Sequence, residues 1–110
     1  MYEKSLFVTY LGDTPYIRVL DYFISNHVFD CSVQDVAEGT ELARNTVKKV
    51  VGEMTKAGLV RGTRSVGRAV MYQLNSENRE VRLLMEFDWK ISKLKADEVE
   101  ENARQKVRAR

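Results

Sequence analysis

The stretch ARNTVKKVVGEM, residues 43–54, combines a helical period with an unusual polar face. At 100° per residue Ala43, Val47, Val50, Val51 and Met54 share one arc. Arg44, Asn45, Lys48, Lys49 and Gly52, with Thr55 and Lys56 beyond them, share the opposite one. A solvated helix face normally mixes acids with bases, because opposite charges four residues apart add about 0.2–0.5 kcal/mol. Here Glu53 is the only acid, the like charges Arg44 and Lys48 sit four apart, and Gly52 costs about 1 kcal/mol relative to Ala. The spacing predicts a helix from about 43 to 57, closed by Gly58 at the left-handed C′ position. Valines bind it to a core, and its outer face suits an external anion, with a glycine where another backbone can come close.

The flanking segments supply that core. Upstream, SVQDVAEG (32–39) has Ser32 as an N-cap and Asp35 three residues on, close to a capping box. A short helix follows with Val33, Val36 and Ala37 inward, stopping near Gly39. Before it, TPYIRVLDYFISNH (14–27) starts with Thr14 as N-cap and Pro15 at the first helical position. It predicts a helix from about 15 to 27 with Ile17, Leu20, Ile24 and Val28 as its stripe, Val19 and Phe23 beside it and His27 at its end. Downstream, LVRGTRSVGRAVMYQL (59–74) reads as two strands around a loop that holds Gly62 and Gly67. Asn75 or Ser76 then caps a last helix whose stripe is Val81, Leu84, Phe87 or Asp88, Ile91 and Leu94, flanked by Met85 and Trp89. Residues 1–12 stay open: Leu6, Phe7, Tyr10 and Leu11 suit a short helix, while the density of Tyr, Phe, Val and Thr suits a strand.

Composition bounds the function. A chain of 110 residues, 44% hydrophobic and 31% charged, fits one small globular domain. Its single cysteine, Cys31, has no partner for a disulfide, and Cys31 with the single histidine, His27, is too few for a zinc site. No metal or other cofactor is expected. Neither a membrane span nor a signal peptide is visible, so the expected compartment is the cytoplasm, in association with the nucleoid. No Ser/His/Asp set, paired carboxylates or phosphate-binding glycine loop suggests an enzyme. The net charge of +2 is unevenly spread: residues 1–42 carry two cations against seven anions, 43–68 seven against one, and 69–110 nine against eight. One quarter of the chain therefore holds the whole basic excess.

The order helix, tight turn, helix, hairpin over 32–74 resembles the winged helix-turn-helix transcription regulators, the broad group of multiple-antibiotic-resistance and arsenic-sensing repressors. Ala37 followed by Val47 is similar to the family's close crossing of two helices. RNTVKKVVGEMTKAGLV (44–60) resembles its recognition helix and first wing strand, and GRAVMYQLN (67–75) its return strand. The opening LGDTPYIRVLDYF (11–23) is more loosely similar to small archaeal members. Two positions depart from the pattern. Glu41 stands where the family's turn usually has glycine, and Ala43 where the recognition helix usually has a Ser or Thr cap. Either Gly39 or Thr40 relocates the turn or Glu41 bears a strain of about 1 kcal/mol.

The resemblance implies a mainly α fold with a small β-hairpin, a winged helix-turn-helix over 13–75 between an N-terminal segment, 1–12, and a C-terminal helix, 76–110. It also implies double-stranded DNA as partner. Arg44, Asn45 and Lys48 are then candidates for base edges, and Ser32, Thr46, Lys49 and Lys56 for the phosphate backbone. Arg61, Arg64 and Arg68 are the wing candidates. A helix from 77 to 108 would span about 48 Å, while a domain of this size has a radius of gyration of about 13 Å. The expectation is a homodimer through Leu84, Phe87, Ile91 and Leu94. The charged end, DEVEENARQKVRAR (97–110), suits a helix and equally suits disorder. No small-molecule effector is expected. The rival classes are a winged-helix module that docks a protein, and a DNA-organising or plasmid-partition protein.

Overall fold

The computed structural model describes residues 2–108. The open N-terminal segment is a helix, α1 (Leu6–Leu11), because the Ser5 hydroxyl caps the Val8 N–H at 3.2 Å and Phe7 and Val8 are buried. Phe7 meets Phe87 edge to face at 6.1 Å. In α2 (Pro15–Ser25) the Thr14 hydroxyl accepts from Ile17 N–H, as its sequence implies. The helix ends at Ser25, where the Asn26 amide turns back to donate to the Tyr22 carbonyl, and His27 Nδ1 donates to the Ile24 carbonyl. Val28 therefore never joins the apolar stripe and is 66% exposed.

In α3 (Val33–Thr40) the reciprocal capping box of Ser32 and Asp35 is complete. Glu41 closes it at φ 56°, so the turn is not relocated and a non-glycine residue carries the left-handed conformation. The next helix, α4 (Arg44–Lys56), buries Val47, Val50, Val51 and Met54. Ala43, assigned to the inward arc by spacing, is the exposed N-cap, since the chain is still extended there. Gly58, at φ 78°, lets the chain leave the helix, with Leu59 N–H on the Met54 carbonyl at 2.9 Å.

Two antiparallel strands follow, β1 (Val60–Val66) and β2 (Ala69–Leu74). Gly67 and Arg68 form the turn, with Gly67 at φ 60°. Gly62, expected in the loop, pairs with Tyr72 inside β1, and a bulge falls between Gly62 and Arg64. On the hairpin's other edge Cys31 exchanges both backbone hydrogen bonds with Tyr72, at 2.7 and 2.8 Å. The last helix, α5 (Arg79–Arg108), is capped by Asn78, whose side-chain oxygen accepts from Glu80 and Val81 N–H. Asn75 and Ser76 precede the cap. Asn75 instead forms a turn with Glu77 N–H and donates to the Gly58 carbonyl, as Asn78 also does.

The core is the apolar face of α2 (Val19, Leu20, Phe23, Ile24) packed on Val36, the valines of α4, Val60, Leu74 and Val81. Arg18 ties its rim together. It binds both Asp13 oxygens at 2.6 and 3.0 Å, donates to the Thr40 carbonyl that ends α3, and lies over the Tyr2 ring. The Arg18 guanidinium, then the Lys4 ammonium, hold the Asp13 carboxyl at about 2 against an ordinary 3.8. A carboxyl with a depressed folded-state pKa contributes stability above its unfolded value and loses it as pH falls through the folded one. Acid titration of unfolding is expected to show wild-type stability falling between pH 3.8 and about 2 more steeply than that of Asp13→Asn. Parallel curves would remove the pair from the account of acid sensitivity.

Candidate nucleic-acid interface

Burying the valines of α4 turns its other side to solvent. Arg44, Asn45, Lys48, Lys49, Gly52 and Lys56 are all exposed. Among the described residues none of the cations Arg44, Lys48, Lys49 and Lys56 has an acidic partner or an internal hydrogen bond. At the start of α4 the Ala43 cap supplies no side-chain acceptor. The first N–H groups of that helix thus lack a side-chain acceptor beside Arg44, adding a partial positive charge to full ones.

A groove of about 420 Å³ separates α4 from the hairpin, and Ser32, Gln34, Arg44, Asn45, Lys48 and Arg68 line it. Residues far apart in sequence, the start of α3, the start of α4 and the hairpin turn, thus meet around one concavity. All three candidates for base edges are there, with Ser32 and Arg68. Lys49, Lys56 and the half-buried Thr46 lie outside the lining, along the flank of α4, and Arg61 is exposed at the base of the hairpin. The Ser32 hydroxyl already accepts from Asp35 N–H as the helix cap, which leaves its proton free to be donated to a phosphate oxygen. Arg64 is the exception among the basic candidates, because it is paired with Asp30. Sequence spacing missed Gln34 and Asp30. Gln34 was visible as an exposed position in the first turn of α3, but an acid ahead of a helix cap gives no sign that it will meet a strand 34 residues on.

The candidates for self-association lie elsewhere. Leu84 and Phe87 line a second, apolar groove of about 440 Å³ with Leu11, Leu59, Leu83 and Glu80. Ile91 is half-buried and Leu94 is 65% exposed. Leu83, absent from the sequence-derived stripe, belongs with them: at 100° per residue it sits beside Leu94 at the edge of the arc that runs through Phe87 and Ile91 to Leu84. No described helix is long and apolar enough to cross a membrane, and no described cluster of three or more His, Cys, Asp or Glu could hold a metal.

Similarity to solved structures follows this architecture. MepR, a transcription regulator of the Staphylococcus aureus multidrug efflux pump MepA, superposes with a TM-score of 0.61 at 14% identity, over 91% of this chain and 76% of its own. NMB1585, a MarR family regulator from Neisseria meningitidis, gives 0.62 at 14%, over 83% and 62%. The ferric uptake regulator from Francisella tularensis, with iron, gives 0.52 at 26%, over 61% and 55%. The fold is a winged helix-turn-helix. In its terms α4 stands at the position of the recognition helix and the hairpin at that of the wing. The chain spans little more than half of the ferric uptake regulator's length. No family model matches it, and no curated protein does.

Two glycines bear on the stability of α4 in opposite ways. A Cβ at Gly52 would meet nothing within 4 Å, whereas Gly58 holds φ 78°. Gly52→Ala is expected to raise the unfolding free energy by about 0.5–1 kcal/mol, and Gly58→Ala to lower it by about 1–2 kcal/mol. Urea unfolding measures both, and a destabilised Gly52→Ala would show that this face is packed rather than open.

Proposed function

We propose that this chain binds double-stranded DNA sequence-selectively as a homodimeric transcription regulator, with the recognition helix in the major groove and the wing, residues 61–68, on the minor groove or backbone. One observation carries the reading: Arg44, Asn45 and Lys48, without internal acidic partners, share a groove with Arg68 of the wing. Near the start of the helix, Arg44 suits guanine O6 and N7, and Asn45 suits adenine N6 and N7. Lys48 lies one turn further along the same face. Lys49, Lys56, Ser32 and Thr46 are assigned to phosphates, Arg68 and Arg61 to the wing's contact.

Assembly follows from α5. Beyond Ile91 every residue of it up to Lys106 is exposed, so its own domain does not cover it. In the proposed dimer Leu83, Leu84, Phe87, Ile91 and Leu94 pack against the same helix of a second copy. The two recognition helices would then read half-sites of a palindrome about one turn of DNA apart. The proposal needs no metal and no effector.

Selection from a random duplex pool gives the site, and substitutions then separate the roles. Arg44→Ala is expected to weaken the selected site by about 10–100-fold and random DNA far less. Lys49→Ala is expected to weaken both alike and to lower the salt slope by about 0.9. Equal losses on both DNAs for Arg44→Ala would take it off the base-reading list. If low salt retains no duplex of any sequence, the DNA reading falls and a protein-docking module takes its place. Weakly selective, cooperative coating would favour a DNA-organising role. For assembly, Ile91→Glu is expected to sediment as a monomer, and an unchanged dimer would place the interface elsewhere.

A further inference from the structure

Every residue from Arg61 to Val70 is exposed, so no apolar burial holds the outer wing at an angle to the body. What ties it down is polar. Three hydrogen bonds converge on the Asp30 carboxylate: Arg64 Nε to Oδ2 at 2.9 Å, Arg64 Nη2 to Oδ1 at 3.2 Å, and Thr63 Oγ1 to Oδ2 at 2.7 Å. In a regular strand neighbouring side chains point to opposite faces. Thr63 and Arg64 reach one carboxylate because the β1 bulge lies between Gly62 and Arg64, leaving Thr63 as the extra residue. Asp30 is itself anchored, one residue before the Cys31–Tyr72 bridge and two before the cap of α3. Its side chain is only 17% exposed, against 65% for Arg64. Arg64, then Thr63, hold the Asp30 carboxyl below its ordinary range, so it is the ionised form that they bind.

We propose that Asp30 is a positioning residue for the wing: through Thr63 and Arg64 it fixes the hairpin at the angle that sets Arg68 across the groove from Arg44, Asn45 and Lys48, and Arg64 serves that strut instead of contacting DNA. The geometry belongs to the free chain, while its use rests on the DNA-binding reading above. A carboxylate placed beside a polyanion-binding face weakens binding by charge alone. The strut therefore gives Asp30 a sign opposite to that of its charge.

That sign is the test. Removing the acid with Asp30→Ala is expected to weaken binding to the selected duplex by up to about fivefold, the reach of one exposed ion pair. Thr63→Val, which changes no charge and suits a strand, is expected to shift binding the same way. In an Arg68→Ala background neither change is expected to weaken binding further, because both act through Arg68. Tighter binding by Asp30→Ala with a steeper salt slope would show that Arg64 had merely been withheld from phosphate, and would overturn the strut. Losses of equal size with and without Arg68 would reduce Asp30 to a general structural part and overturn it as well. In the free protein, the Arg64 Nε–H is expected to exchange with solvent more slowly than those of Arg61 and Arg68, and Asp30→Ala to abolish the difference. Equal rates in the wild type would overturn the strut whatever the DNA result. Should no duplex bind at all, the DNA reading fails and this exchange measurement alone decides the geometry.

Discussion

The fold depends on one constraint: Val47, Val50, Val51 and Met54 must leave water together. They are at most 6% exposed, and burying them fixes the rotation of α4 about its axis. Because the helical period is rigid, that rotation also fixes where Arg44, Asn45, Lys48 and Lys49 point. Fully burying one such side chain is worth about 1.5–3 kcal/mol, more than the few tenths at stake in each repulsion between like charges along the strip. The core therefore decides, and the cations are held in an arrangement that they would not choose for themselves. The same burial ties α3 to α4 through Val36 and Ala37, which forces the short turn at Glu41 into the left-handed region.

An internal comparison shows that this strip is not how the chain treats an ordinary solvated helix. The exposed faces of α5 are laced with ion pairs, Glu86 with Lys90, Lys93 with Asp97, Lys95 with Glu98 and Glu100 with Arg104. Each is three or four residues apart, the spacing that stabilises a helix facing water. The same sequence that supplies those partners along α5 supplies only Glu53 along α4. An unpaired, self-repelling strip beside a groove is an incomplete electrostatic arrangement, and a polyanion of the kind the proposed function supplies would complete it.

Most of the fold was legible because its signals are local. Caps at Thr14 and Ser32, the valine arc and Gly58 each depend on residues within one or two turns, and the structure places them where the spacing does. What escaped depends on distant partners. The first dozen residues were ambiguous because their choice of helix rests on Phe7 finding Phe87, 80 residues away. Val28 was misassigned since a periodic stripe cannot show that the Asn26 side chain ends the helix first. The cap of α5 moved from Asn75 or Ser76 to Asn78 because all three lie within four residues and could each serve, and in the fold Asn75 closes a turn onto Glu77 N–H while Asn78 accepts from Glu80 and Val81 N–H. For the site, the basic residues could be named from sequence, but the meeting of Arg68 with Arg44 and the capture of Arg64 by Asp30 are products of the hairpin's placement.

The tether at Gly58 bears on how two copies would be coupled to one DNA. Asn75 and Asn78 both donate to the Gly58 carbonyl, at 3.0 and 3.1 Å, one residue past the C-cap of the recognition helix. The residue that follows the end of α4 and the two asparagines that lead into α5 are thus joined at one acceptor, and Val81 in the first turn of α5 is fully buried. Such a joint leaves little freedom for α5 to swing relative to the recognition helix. At the other side Phe7 packs on Phe87, so α1 braces α5 further along. In the proposed dimer the two-fold axis runs past α5. The angle at this joint, rather than any contact with DNA, would then set the distance between the two recognition helices, and so the half-site spacing that the pair can read.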